Sequence, residues 1–117
     1  MRLIFGALLF ALAWPANAQD GGVFFTRLDF KELSVNSQLA YTAGVADTYT
    51  AGIMFGMSKT KVNRVSRCLR ENGVTVKQIH LTAVALIDAE PEHLHWSGAA
   101  AVLEAMTKIC QLGWGDL

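Results

Sequence analysis

The sequence predicts an all-α fold, a small bundle of about four helices closed by one disulfide. Three observations lead there. The stretch Leu39 to Gly56 repeats apolar side chains at the three-and-four spacing of a helix face. Two helix-start signatures, Thr26 with Asp29 and Thr75 with Gln78, open further segments. Two cysteines, Cys68 and Cys110, stand in a chain that begins like an exported protein, where an even count suggests a bond between them.

The 117 residues leave room for one domain. Residues 1–18 read as a secretory signal peptide: Arg2 gives a positive start, Leu3 to Trp14 is apolar, and Pro15-Ala16-Asn17-Ala18 ends in a small-x-small site, with cleavage expected before Gln19. The apolar run is shorter than the roughly 20 residues a span requires, so no stable membrane insertion is expected after cleavage. An uncleaved anchor or a buried N-terminal helix is the alternative. No cysteine follows Ala18, so a lipid anchor there is not expected.

The domain is then residues 19–117, with 9 Lys+Arg left against 10 Asp+Glu. That balance implies neither nucleic acid nor an anionic membrane as partner. A Cys68–Cys110 bond would close a loop of about 43 residues, worth on the order of 4 kcal/mol in the chain-entropy model. Two separate thiols or a soft-metal pair are the other readings.

Taken in order, Asp20-Gly21-Gly22 leads to a short helix capped by Thr26 and running to about Ser34, where Phe24, Phe25, Leu28, Phe30 and Leu33 mix with charged residues. Strand is the weaker reading, because the alternation is broken. Ser34 or Asn36 then caps the central helix. Its predicted stripe is Val35, Leu39, Ala43, Ala46, Tyr49 and Ile53, and it fails around Gly56 to Ser58. Gly44 and Gly52 each cost about 1 kcal/mol of helix propensity, which a close backbone approach would offset.

Lys59, Lys61, Arg64, Arg67 and Arg70 follow with no acid until Glu71. As a helix they would form a basic ridge, with Val62, Val65, Cys68 and Leu69 on the other side. The ridge reads as a solvated face or as a surface for an acidic protein partner. Nucleic acid is not favoured, since no aromatic residue is interleaved. Asn72-Gly73 is a turn, and a helix runs from Val76 to about Asp88 with Val76, Ile79, Ala83, Leu86 and Ile87 inward and His80 at the stripe's edge as a structural histidine. Pro91 breaks the chain. The last helix runs from Trp96 or Ser97 to Cys110, with Trp96, Ala99, Ala100, Leu103, Met106, Ile109 and Cys110 as its stripe. The tail is too glycine-rich for helix, and Trp114 is expected to tuck back on the core.

Chemistry-bearing sets are sparse. Ser97 with His93 or His95 lacks a strained frame, and helix capping accounts for it. Asp88, Glu90, Glu92, His93 and His95 offer oxygen and nitrogen donors in one turn, a weak signal for metal. No phosphate-cradling glycine loop is present. Neither an enzyme nor a cofactor is expected.

A composite pattern stands apart: Tyr41-x-x-Gly44-Val45-x-Asp47, Cys68, Gly73-Val74-Thr75-x-x-Gln78, Pro91-Glu92, Ala99-Ala100 and Cys110. Its order and spacing, from Phe25 to Cys110, resembles the Rap/Tai family of immunity proteins from bacterial type VI secretion systems. The resemblance implies a small helical periplasmic protein, often dimeric, that binds and blocks a peptidoglycan-cleaving amidase delivered by neighbouring cells. Members often carry an additional early cysteine, which is missing between Leu33 and Ala40, so the early segment is expected to be held by packing alone. The basic run looks like an elaboration of a shorter loop. The expected partner-binding residues are Lys59, Lys61, Arg64, Arg67 and Arg70, and Glu90, Glu92, His93 and His95 on the acidic-histidine turn. A periplasmic acid-stress chaperone, also small, helical and singly bridged, is the competing class.

Overall fold

The computed structural model describes residues 25–52 and 58–111. The expected signal peptide, the Ile53 end of the central stretch and the Trp114 tail lie outside them. Five α-helices and one 3₁₀ turn are present among the described residues: α1 (Arg27–Glu32), α2 (Val35–Thr50), α3 (Lys59–Glu71), α4 (Val76–Ala89), the turn Pro91–His93 and α5 (Gly98–Ile109). The bundle is all-α as expected, and the basic segment forms a helix of its own, α3, the third of the five.

Local chemistry sets the starts. Asp29 N–H donates to the Thr26 hydroxyl at 3.2 Å while the Asp29 carboxylate accepts from Thr26 N–H at 2.9 Å. The same reciprocal box joins Thr75 and Gln78, at 3.2 and 2.8 Å. Ser34 and Ser97 cap α2 and α5, accepting from Ser37 N–H and Ala100 N–H.

The end of α2 differs from expectation. It stops at Thr50, well before Gly56, because Gly52 takes the left-handed conformation at φ +71° and donates back to the Tyr49 carbonyl at 2.9 Å. The close approach expected at Gly44 is also absent: a Cβ there would meet nothing within 4 Å. Gly44 is exposed and opens onto a groove.

The core lies where α4 and α5 pack together and α2 crosses both. Ala46 and Tyr49 of α2, Val65 of α3, Ile79 and Ala83 of α4, and Val102, Ala105 and Met106 of α5 form its main cluster. Phe30, Ile87 and Ala101 form a second one under α1. Two predicted stripes hold only in part, with Ala46, Tyr49 and Met106 buried as expected. On α2 Val35, in the first turn, is 62% exposed, Leu39 and Ala43 are half-buried, and the inward residues are Thr42, Ala46 and Tyr49. Thr42 is tolerated inside because its hydroxyl donates to the Gln38 carbonyl at 2.8 Å. On α5 the inward residues are Ala101, Val102, Ala105 and Met106, while Trp96 is exposed and Ala99, Ala100 and Leu103 are half-buried. Ala101 and Ala105 share the contact line with Val102 and Met106, so small and bulky side chains alternate along it.

Cys68 and Cys110 are bonded, with Cα atoms 6.0 Å apart, tying α3 to the end of α5. The early segment is held by more than packing. Arg27 N–H donates to the Trp96 carbonyl at 2.8 Å, Leu28 N–H to Leu94 at 3.0 Å, and Gly98 N–H to Phe25 at 2.8 Å. Residues 25–28 are thereby stitched to residues 94–98 by backbone hydrogen bonds.

Candidate functional site

Two surfaces were expected to face a partner, and the structure treats them differently. The turn from Asp88 to His95 is largely committed to the fold. Arg27 is only 1% exposed; its guanidinium lies 3.4 Å from Glu90 Oε2 and 3.4 Å from Glu104 Oε2. His93 Nδ1 is 2.7 Å from the same Glu90 oxygen. The His93 ring stacks on Trp96 with centroids 3.6 Å apart, and the Arg27 cation lies 5.2 Å from the Trp96 centroid. The hydrogen bond to His93, helped by the Arg27 charge, holds the Glu90 carboxyl below its ordinary range. Asp88 pairs with Lys31 at 3.1 Å. Asp88, Glu92 and His95 are exposed, and of these Glu92 and His95 are the expected partner-binding residues.

The network does not assemble a metal site: among the described residues no group of three or more His, Cys, Asp or Glu side chains converges. Ser97 is engaged as the cap of α5. His80 is buried as a structural residue, its Nε2 2.9 Å from Gln38 Oε1, and Gln38 in turn donates to the Phe30 carbonyl at 3.0 Å.

Sequence reasoning missed Arg27, which sits in a run of alternating charges and looks like surface. The available signal was on its partner. Glu104 is the lone acid in a helix whose other residues, Thr107 and Lys108 apart, are apolar or small, and a half-buried acid there calls for a cation partner.

On α3, Val62 and Val65 are buried against the bundle, Lys61 is half-buried, and Lys59, Arg64, Arg67 and Arg70 are exposed. The basic ridge is therefore brought together on one helix, turned away from the core. Arg67 borders two shallow clefts, one of about 320 Å³ with Thr60, Asn63 and Arg64, the other of about 370 Å³ with Arg70 and Glu71. Among the described residues Lys59, Lys61, Arg67 and Arg70 form no ion pair.

A third feature is apolar. Tyr41, Gly44, Val45, Thr48 and Ala99 line an open groove of about 400 Å³ between α2 and α5. Phe25 packs on Tyr41 with ring centroids 4.7 Å apart. Burial pushes the Tyr41 hydroxyl above its ordinary pKa, against a smaller opposite effect of its hydrogen bond to the Ala99 backbone.

The sequence model of one protein family, described as Rap1a immunity proteins, matches residues 28–109 of this chain. No curated protein and no solved structure matches it significantly.

Proposed function

The chain belongs to the Rap1a immunity protein family, and from that premise we propose that it is a periplasmic immunity protein that binds and inhibits a cognate peptidoglycan amidase effector of a type VI secretion system. The observation that carries the reading is the family match over α1 to α5, on a scaffold whose surface is displayed by covalently tied helices. Such a scaffold suits inhibition by occlusion, since rigid presentation lowers the ordering cost of binding. The Cys68–Cys110 bond fits an oxidising compartment, and the signal-like residues 1–18 supply the route to it. The amidase target and a homodimeric state come from the resemblance to Rap/Tai proteins.

Toxicity rescue tests the proposal. Co-expression of this protein with a periplasm-targeted amidase encoded beside it is expected to prevent lysis. Lysis that continues with every amidase encoded nearby overturns the amidase assignment. Sedimentation equilibrium of residues 19–117 reads the oligomeric state directly.

A further inference from the structure

We propose that the solvent face of α3, with Lys59, Arg67 and Arg70 set around Asn63, is the surface that meets the toxin, and that the toxin presents a carboxylate-rich protein face to it. The inference deepens the immunity reading and depends on it.

The α3 helix is arranged against its own stability. Cations are unfavourable in a first helical turn and anions in a last one, because of the helix dipole. Lys59 and Lys61 stand in the first turn of α3, and its single acid, Glu71, is the final residue. Ser58, at the N-cap, makes no side-chain capping bond. Arg67 and Arg70 stand three apart, a spacing at which like charges repel. Only Arg70, in the last turn, agrees with the dipole. The helix persists because Val62 and Val65 are buried and Cys68 is bonded to Cys110. Lys59 and Arg67 weaken the element by their placement and form no ion pair among the described residues, which points to a gain outside the chain.

The chemistry of the face selects the partner. Arg67 lies between two clefts, so its planar guanidinium is framed for two-pronged contact with carboxylates. Thr60 and Asn63 add neutral hydrogen-bonding groups beside it. Neither cleft is lined by an aromatic ring on which a base could stack, which disfavours nucleic acid. The other expected surface competes poorly, because Glu90 and His93 are already engaged with Arg27 and Trp96.

The test uses residues 19–117, with the amidase encoded beside the gene as the probe. Two double variants are compared with the wild type, R67E/R70E and K59E/K61E. Both are expected to bind the amidase about a hundredfold more slowly at low salt, a gap that closes as salt is raised. K59E/K61E is also expected to melt at a higher temperature than the wild type, which separates lost binding from lost folding. Wild type and variants inhibiting equally overturns this surface while leaving the immunity reading intact. Wild type that inhibits no amidase overturns that reading and the proposed partner together. Tighter binding to phosphatidylglycerol vesicles or duplex DNA than to the amidase, at physiological salt, overturns the choice of a protein face.

Discussion

Arg27 and Glu90, 63 positions apart in the chain, meet at 3.4 Å, with the arginine almost wholly out of water. Taking a guanidinium out of water costs several kcal/mol unless charges and hydrogen bonds replace its hydration. Glu90 and Glu104 replace it on two sides, and Trp96 stands nearby with its ring available to the cation. This single side chain couples α1 to both ends of the connection that precedes α5 and to α5 itself.

Removing one partner should therefore hurt more than removing the set. Arg27→Ala leaves two carboxylates facing each other across a void and is expected to destabilise by about 3–5 kcal/mol. Arg27→Met combined with Glu90→Gln and Glu104→Gln should recover a large part of that loss. Urea unfolding followed by circular dichroism reads both. Additive losses in the triple variant would show that the three groups do not act as a network.

Acid should loosen the same contact. Glu90's folded pKa lies below its ordinary value of 4.5, chiefly through the hydrogen bond to His93 and then the Arg27 charge. A carboxyl with a depressed folded pKa contributes stability above its unfolded pKa, and that contribution disappears as pH falls through the folded value. The urea midpoint of the wild type should thus fall between about pH 5 and about pH 3 more steeply than that of Glu90→Gln. Parallel curves for the two proteins would remove Glu90 from the acid response.

Much of this was legible in the sequence. The capping boxes at Thr26 and Thr75, the turn at Asn72-Gly73 and the Cys68–Cys110 bond are local or paired signals, and each is in place. What could not be read depends on which helices are neighbours. Periodicity weighs bulk, so it aimed Trp96 and Leu103 inward, whereas Ala101, Val102 and Ala105 are fully buried there. Arg27 was invisible because its partners are 63 and 77 residues away. The basic ridge was legible as charge, but only the structure turns it away from the core on a single helix.

Gly98 should not accept a side chain. A Cβ at that position would lie 3.2 Å from the Thr26 carbonyl oxygen, 3.4 Å from that of Phe25 and 3.4 Å from the Tyr41 hydroxyl. Two of the three are backbone atoms of the segment stitched to Ser97 and Gly98, so they yield only by shifting the chain. Gly98→Ala is expected to cost about 1–3 kcal/mol as overpacking, although alanine is the better helix former. Gly44→Ala, where a Cβ meets nothing within 4 Å, should instead stabilise by up to about 1 kcal/mol. Thermal melts of the two variants should move in opposite directions.

Breaking the disulfide should release α3 before the rest. The bond spans a separation of 42 residues and joins Cys68, in the last turns of α3, to Cys110 at the end of α5. Loop-closure entropy gives it on the order of 4 kcal/mol. Within the bundle α3 packs chiefly on α2, and its own charges oppose it, so little else resists its departure. Cys68→Ser with Cys110→Ser is expected to lower global stability by about 2–4 kcal/mol. It should also raise amide exchange across Lys59–Glu71 above that of α4, whose Ile79, Ala83 and Ile87 remain in the core. Uniform exchange across both helices in the double variant would mean that α3 is held by the apolar contacts of Val62, Val65 and Leu69 without the disulfide.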